Sequence, residues 1–405
     1  MKKILLITAT RASKNEGGPG RFTYLLFKAL SSIKEKRKEV GGIFSYEYAP
    51  TVEDIVQQVA SFDSGKIKRL GKRAKVREII NSVGVLGVLS YLVRLEVKKR
   101  KLNSLISQAQ PTIMHCHDFE TASLIKNKNS TLIFTSHYKG SAYEESIKYK
   151  ESAYKKVIWK KLFKSIEKRA INNVDVITFP SAEAKGLLIN EYPGLSNLIE
   201  SKSKVIYTGI ESLGARKNHE DGGGVILNVA NHVPAKGVID ALRLMKKLRD
   251  QGKNYTLLNY GVNGPETDKL HNFVDKHKLN DCVKFCGTVS SEQLKECYYK
   301  SDLFLTTSLV TVFDLVILEA MSIGLPIVGT ELKGFREALG EKYPYLSNDL
   351  ETQVHFINKL LDIRKNREEI GCFMIGRFNE LFVQNKMIES YSRLYNESTL
   401  KRKLG

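Results

Sequence analysis

Three groups of residues in this chain stand in patterns that could do chemistry. His115-Cys116-His117-Asp118 follows a short apolar run, and His137 follows another. Two histidines at i and i+2 invite a metal ion, but no third ligand lies at a useful spacing, so a metal site is disfavoured. Of this pair, His115 is expected to turn to the opposite face of its strand and to pack or orient. His137 reads equally as a cleft-facing residue or as a satisfied loop histidine. Glu319 is embedded in Leu315-Val316-Ile317-Leu318 and Ala320-Met321. A carboxylate there is costly to bury without a partner, which points to a use beyond packing. Gly17-Gly18-Pro19-Gly20 follows the first apolar run. It is either a tight connection or a place where the missing Cβ lets backbone approach a ligand. The five cysteines form no CxxC pair, which argues against a zinc or disulfide framework and for a reducing compartment.

The elements that must position these residues alternate. Lys3 to Thr8 reads as a buried strand, the glycine turn follows, and Phe22 to Leu30 has helical periodicity. Short strands recur at Thr112–His115, Leu132–Thr135, Asp175–Phe179 and Lys204–Tyr207, with helical stretches between them. A polar, glycine-containing stretch, 208–224, is the best linker candidate. A second series then runs through strands at Val225–Val229, Tyr255–Tyr260, Val283–Phe285, Leu303–Leu305 and Pro326–Gly329. The expected fold is therefore α/β, with two Rossmann-like doubly wound domains facing a central cleft. The first domain would cover 1–207 and the second 225–381, with a last helical stretch, 382–405, that could return to the first.

Composition excludes several classes. The 405 residues are 42% hydrophobic and 27% charged, which is an ordinary globular balance and neither disordered nor collagenous. The N-terminal apolar run is too short for a secretory segment, and no run approaches a membrane span. The net charge of +20 is lopsided: residues 1–210 carry +18. Such a field suits an anionic surface or polyanion. Within 66–101 twelve Lys/Arg face two Glu, bracketing an apolar stretch, 83–93; a second basic stretch covers 155–169. The apolar stretch could lie in a membrane interface with its cations on anionic head groups, or could be a core helix with solvated ends. Nucleic acid is disfavoured, because no aromatics interleave with the basic residues.

FDLVILEAMSIGLPIV (313–328) closely resembles the signature of the retaining nucleotide-sugar glycosyltransferases of family 4, which have the two-domain GT-B fold. Other pieces fall in that family's order: GGPGR (17–21), HCHD (115–118), TSH (135–137), VDVITFPSAEAKGLL (174–188), KVIYTGIES (204–212), VILNVANHVPAKG (225–237), YGVNGPE (260–266), VKFCGTVSSEQL (283–294) and KGFRE (333–337). The resemblance implies a nucleotide diphosphate-sugar donor and no metal or other cofactor, so that helix N-termini, backbone N–H groups and cations must meet the leaving diphosphate. It implies that Lys236 binds phosphate, that Glu319 accepts from ribose hydroxyls, and that His117 lines the sugar pocket with His137 nearby. Gly17, Gly18 and Gly20 would approach the phosphates or sugar, Ser181 would face the cleft, and Gly264 with Phe285 would frame the base. Asn231, Thr311, Phe313, Asp314 and Leu315 complete the donor-binding set.

Three of these positions depart from the family pattern. Asn231 stands where an arginine partners Lys236, Thr311 where the first of two glutamates belongs, and Asp314 where a glycine is expected after Phe313. Losing one cation–phosphate contact costs roughly 1.5–3 kcal/mol. Either the chain uses a variant site, or it is a catalytically silent paralogue acting as a partner or scaffold subunit. The implied activity is that of a hexosyltransferase at the inner face of the cell membrane. It would pass sugar to a glycan or lipid-linked acceptor in surface polysaccharide, glycolipid or glycoprotein assembly. Retention implies that the acceptor attacks from the face the diphosphate leaves, and the leaving oxygen itself can take the proton.

Overall fold

Ile4, Leu5, Leu6 and Ile7 are all buried, on both faces of one strand. An unbroken apolar run of this kind is what a parallel sheet covered on two sides requires. The computed structural model describes residues 2–8, 22–28, 30, 40–47, 84–126, 129–143, 153–214 and 223–404. They form two compact units. One comprises Met1–Phe179, Lys185–Val205 and Ser392–Gly405; the other comprises Pro180–Ala184 and Ile206–Tyr391. The glycine loop at 17–20 and the basic segment up to 83 lie outside the described residues.

The first unit has a six-stranded sheet in the order β2-β1-β3-β4-β5-β6, with every pairing parallel. The strands are β1 (Lys2–Thr8), β2 (Val40–Glu47), β3 (Ile113–Cys116), β4 (Thr131–Thr135), β5 (Val176–Phe179) and β6 (Ser203–Val205). Its helices include α1 (Gly84–Ala109), the short α2 (Phe119–Leu124), α3 (Ala153–Asn173), α4 (Ala182–Glu191), whose first three residues are assigned to the other unit, and α5 (Ser196–Lys202). Residues 84–93 of the apolar stretch open α1, which has a buried and an exposed side. Tyr91 and Leu95 join a buried stripe that continues through Leu102, Ile106 and Ala109, while Leu92, Val93 and Val97 are exposed.

The second unit repeats the plan with five parallel strands in the order β11-β10-β7-β8-β9. They are β7 (Val225–Val229), β8 (Thr256–Tyr260), β9 (Val283–Gly287), β10 (Leu303–Thr306) and β11 (Ile327–Gly329). Helix α6 (Val238–Asp250) buries Val238, Ala241, Leu242, Met245 and Leu248, one face at helical spacing. After it come α7 (Thr267–Lys276), α8 (Ser291–Lys300), α9 (Leu315–Ser322), α10 (Lys333–Leu339), α11 (Leu350–Asp362) and α12 (Arg364–Leu381). The last helix, α13 (Gln384–Leu404), begins in the second unit and ends in the first. The segment read as a linker starts as packed structure: Ile210 is buried, bridges Val383 and receives a hydrogen bond from the Gln384 amide. Residues 215–222 of that segment lie outside the described set. Among the described residues no helix is long and apolar enough to cross a membrane.

Candidate active site

In an open parallel sheet, ligands bind beyond the carboxyl ends of the strands, where the strand order reverses. In the first unit that point lies between β1 and β3, and the residue following β3 there is His117. Its amide donates to the carbonyl of Ile7 at 3.0 Å, so the chain leaves β3 against the end of β1. The ring is 2% exposed, and its Nδ1 lies 3.2 Å from Nε2 of His137, which follows β4. Phe22 packs on both rings, with centroids 5.6 and 4.8 Å away. Nε2 of His117 is buried without a hydrogen-bond partner among the described residues. Burial, reinforced by His115, holds His117 well below the usual histidine range, so it is neutral near pH 7. One of the neutral pair must carry the shared proton. If His137 donates, His117 keeps an N–H on Nε2; otherwise Nε2 is an acceptor.

His115 corrects the expectation made for it. Its ring centroid is 4.5 Å from that of His117, on the same side of the sheet, as period-two alternation of a strand requires for residues two apart. It does pack rather than face a ligand: Nδ1 meets Tyr395 Oη at 2.8 Å and Nε2 meets Thr135 Oγ1 at 2.6 Å. Burial, with His137 adding to it, lowers its pKa to about 3. Among the described residues no group of three or more His, Cys, Asp or Glu could hold a metal ion.

In the second unit the strand order reverses between β7 and β10. The loops leaving these strands carry Asn231 and Lys236 on one side and Thr311, Phe313 and Asp314 on the other. Gly237 makes their approach possible. It has φ +58°, and a Cβ there would sit 2.1 Å from the Thr307 carbonyl oxygen. The Leu309 amide donates to Ala235 O at 2.9 Å and closes the two loops together. Lys236 Nζ then lies 3.0 Å from Asp314 Oδ2, both side chains about a quarter exposed. Asp314 is the N-cap of α9 but makes no side-chain cap bond; its carboxylate serves the lysine instead. Thr307 and Thr311 bury hydroxyls that have no partner among the described residues. Leu315, half-buried, is the first residue of α9.

The remaining expected site residues are held by the protein itself. Glu319 is 3% exposed and accepts a 2.9 Å hydrogen bond from Tyr298 Oη, so the partner demanded by its burial comes from α8. Ser181 is fully buried, donates to Val312 O at 2.8 Å and accepts from the Ala184 amide at 3.1 Å. Phe313 stacks on Tyr207 and packs on Phe382. Asn231 Oδ1 accepts from the Val262 amide at 2.9 Å. Gly264 is required by close packing, since a Cβ would lie 2.4 Å from His232 O, and Phe285 packs between His232 and His271.

Beneath this reversal point runs a buried polar chain that the sequence reading missed. His232 Nδ1 meets Thr267 Oγ1 at 2.9 Å and Nε2 meets Asn259 Oδ1 at 2.8 Å. Asn259 donates to Asn228 at 2.6 Å, and Asn228 donates to Leu305 O at 2.8 Å. It ties β8, β7 and β10 together under the loops. The signal was an asparagine in each of the apolar runs VILNV and TLLNY.

The family model described as Glycosyl transferases group 1 matches residues 210–373, and that described as Glycosyltransferase Family 4 matches residues 63–212. With two parallel Rossmann-like sheets between them, these matches define the class: the chain belongs to the GT-B glycosyltransferases, as a family 4-like member. Among its relatives is the amylovoran biosynthesis glycosyltransferase AmsK of Erwinia amylovora, 31% identical over 122 residues, covering 28% of this chain and 29% of AmsK. Another is the sulfoquinovosyl transferase SQD2 of Arabidopsis thaliana, 32% identical over 146 residues, covering 35% of this chain and 28% of SQD2. The chain thus spans less than a third of the length of these two curated relatives. The structure of Anabaena HepE in complex with UDP and glucose is similar in fold, with a TM-score of 0.64 at 15% identity, covering 98% of this chain and all of that one.

Proposed function

We propose that this chain is a retaining glycosyltransferase that moves a sugar, of hexosyl type, from a nucleotide diphosphate-sugar to a glycan or lipid-linked acceptor in polysaccharide, glycolipid or glycoprotein assembly. The observation that carries the reading is the coincidence of the candidate residues with both strand-order reversals. His117 presents a buried, unpartnered Nε2 at one, and Lys236 stands at the other. The UDP and glucose bound in the structure of HepE support a nucleotide-sugar as donor. A catalytically silent role is not favoured.

In this reading Lys236 and the amides opening α9 take the diphosphate, since an N-terminal turn offers unpaired N–H groups. Glu319, oriented by Tyr298, accepts from the ribose hydroxyls. His117, neutral, hydrogen-bonds a hydroxyl of the donor sugar, with His137 fixing its tautomer. The acceptor hydroxyl attacks the anomeric carbon on the face the diphosphate leaves, and its proton passes to the departing oxygen. No metal or cofactor is required. The basic first half suits the inner, anionic face of the cell membrane. Exposed Leu92, Val93 and Val97 on α1 and Val157 on α3 enter the interface there.

The test is donor hydrolysis screened across UDP-, GDP-, ADP- and dTDP-sugars, with Lys236→Ala and Glu319→Ala in parallel. Turnover by the wild type, lost in both variants, is the expected result; turnover unchanged by both would defeat the site assignment.

A further inference from the structure

Helix α1 turns a lysine inward. The buried stripe of this helix is Tyr91, Leu95, Lys98, Leu102, Ile106 and Ala109, so Lys98 occupies a core position and is 3% exposed. Lysines ordinarily run their stems along apolar surface and keep the ammonium in water. Here Nζ lies 3.2 Å from Asp118 Oδ1 and 3.4 Å from Glu120 Oε2. Burial pulls the ammonium down, but Asp118 and then Glu120 pull it further up, so it stays charged. Glu120 also accepts from Tyr91 Oη at 2.6 Å, and the Tyr91 ring stacks on Phe163 and meets Trp159 edge-on. The cation is thus held by two carboxylates, one of which is itself held by Tyr91, packed between α1 and α3.

What Lys98 holds is the residue next to His117. Asp118 is 6% exposed and N-caps α2, accepting from the Thr121 amide at 2.8 Å and from Thr121 Oγ1 at 2.7 Å. Helix α2 has only six residues and cannot fix its own N-terminus. His117 is therefore set from two sides: its amide is pinned to Ile7 O in front, and its carbonyl side is pinned through Asp118 to Lys98 behind. Its ring has one hydrogen-bond partner among the described residues, His137, and nothing on Nε2. The direction of Nε2 accordingly depends on where the backbone is held, together with Phe22, His115 and His137 packed on the ring.

We propose that Lys98 is a positioning residue for the transfer reaction, fixing Asp118 and through it the direction in which His117 Nε2 meets the donor sugar. This rests on the reading of His117 given above. An ion pair kept only for stability would be a poor device, because two buried charges replaced by apolar groups are often neutral or better. A pair that fixes one loop in one place repays its desolvation in geometry.

The experiment uses the full chain labelled with 15N-histidine and compares wild type, Lys98→Met and Lys98→Arg. The His117 ring resonances are assigned with His117→Gln. K98M is expected to shift or broaden the His117 and His137 ring signals while His232, in the other unit, stays in place, and K98R is expected to restore them. With whichever nucleotide-sugar the screen identifies, K98M should lower kcat by about 10- to 100-fold, the scale of a small misplacement at a reacting centre, with KM changed less than about twofold. In a His117→Ala background K98M should cost nothing further. Should K98M not fold, the double variant Lys98→Met/Asp118→Asn, which removes the ion pair without leaving an unpaired buried charge at position 118, carries the same comparisons. Unmoved His117 resonances in a folded K98M, or a kcat loss that adds to that of H117A, would overturn the proposal. Wild type inert on every donor, or H117A fully active, would instead count against the reading of His117, and the resonance comparison still decides whether Lys98 positions that ring.

Discussion

Lys236 Nζ and Asp314 Oδ2 are 3.0 Å apart, joining the loop after β7 to the start of α9. In the absence of an anion the acid occupies the lysine that the proposed function needs. A diphosphate arriving there must displace the carboxylate and then lie beside it. Asp314→Asn should therefore strengthen UDP binding, by about tenfold or roughly 1.4 kcal/mol, and Lys236→Ala should weaken it by a similar factor. Calorimetric titration reads both. Weaker affinity in D314N would mean that Asp314 helps hold the nucleotide, and equal affinity that it does not compete for Lys236.

Tyr298 and Glu319 form the second relationship in that unit. A fully buried hydroxyl donates to a buried carboxylate across 2.9 Å. Tyr298→Phe keeps the ring packed on Phe304 and removes only the donor. Weakening the satisfaction of a buried acid costs about 1–3 kcal/mol. The melting transition should fall accordingly in scanning calorimetry, by a few degrees. If that transition stays put, Tyr298 is not what makes the carboxylate tolerable.

The sequence disclosed most of the sheet and less of the site, for physical reasons. Strands β3, β4, β7 and β10 are near-continuous apolar runs, the pattern that sheets buried on both faces impose. Strand β2 (Val40–Glu47) is hard to see in the sequence because Gly41-Gly42 and Ser45 interrupt its run. The opposite-face expectation for His115 fails on register, since residues two apart share a side. Lys98 looks like one cation in a basic run, although its spacing from Tyr91, Leu95, Leu102 and Ile106 puts it on the buried stripe. Its partners, Asp118 and Glu120, come from another element and only the tertiary fold brings them there. Tyr298 is invisible in the sequence as a partner of Glu319 for the same reason.

Glu167 gives a prediction about pH. It is fully buried on α3, accepts from the Ala142 amide at 2.7 Å and from Ser141 Oγ at 3.1 Å, and is also bonded to Tyr192 Oη. Burial raises its pKa from 4.5 to about 7, although the bonds from Ala142, Ser141 and Tyr143 pull the other way. Between those two values the folded chain keeps a proton that the unfolded chain has lost. Stability from this group is therefore full below pH 4.5 and declines as pH rises towards 7, by at most about 3 kcal/mol. Glu167→Gln removes the titration. The difference in melting temperature between wild type and E167Q should shift in favour of E167Q between about pH 5 and 8. A difference that stays flat across that range would show that the carboxyl is already ionised in the folded chain at its acid end.

The outward face of α1 makes the last prediction. Leu92, Val93 and Val97 are 43%, 63% and 46% exposed, and Val157 on α3 is 55% exposed. The two helices meet through Tyr91, Trp159 and Phe163, so these apolar side chains share a unit with exposed Arg94, Arg100, Lys160 and Lys161. Burying such side chains in a lipid interface gains free energy in proportion to area, at roughly 25 cal/mol per Å², and each nearby cation adds about 1 kcal/mol on an anionic surface. Replacing Leu92, Val93 and Val97 by serine should lower partitioning onto vesicles containing phosphatidylglycerol by at least about tenfold. Replacing Arg94, Lys160 and Lys161 by glutamine should lower it further and reduce its salt dependence. UDP affinity should not change in either set, because Lys236 and Glu319 belong to the other unit. Cosedimentation with these vesicles, and with phosphatidylcholine alone, separates the two contributions. Equal binding to both lipids would remove the cations from the explanation, and binding to neither would end the membrane reading of α1 and α3.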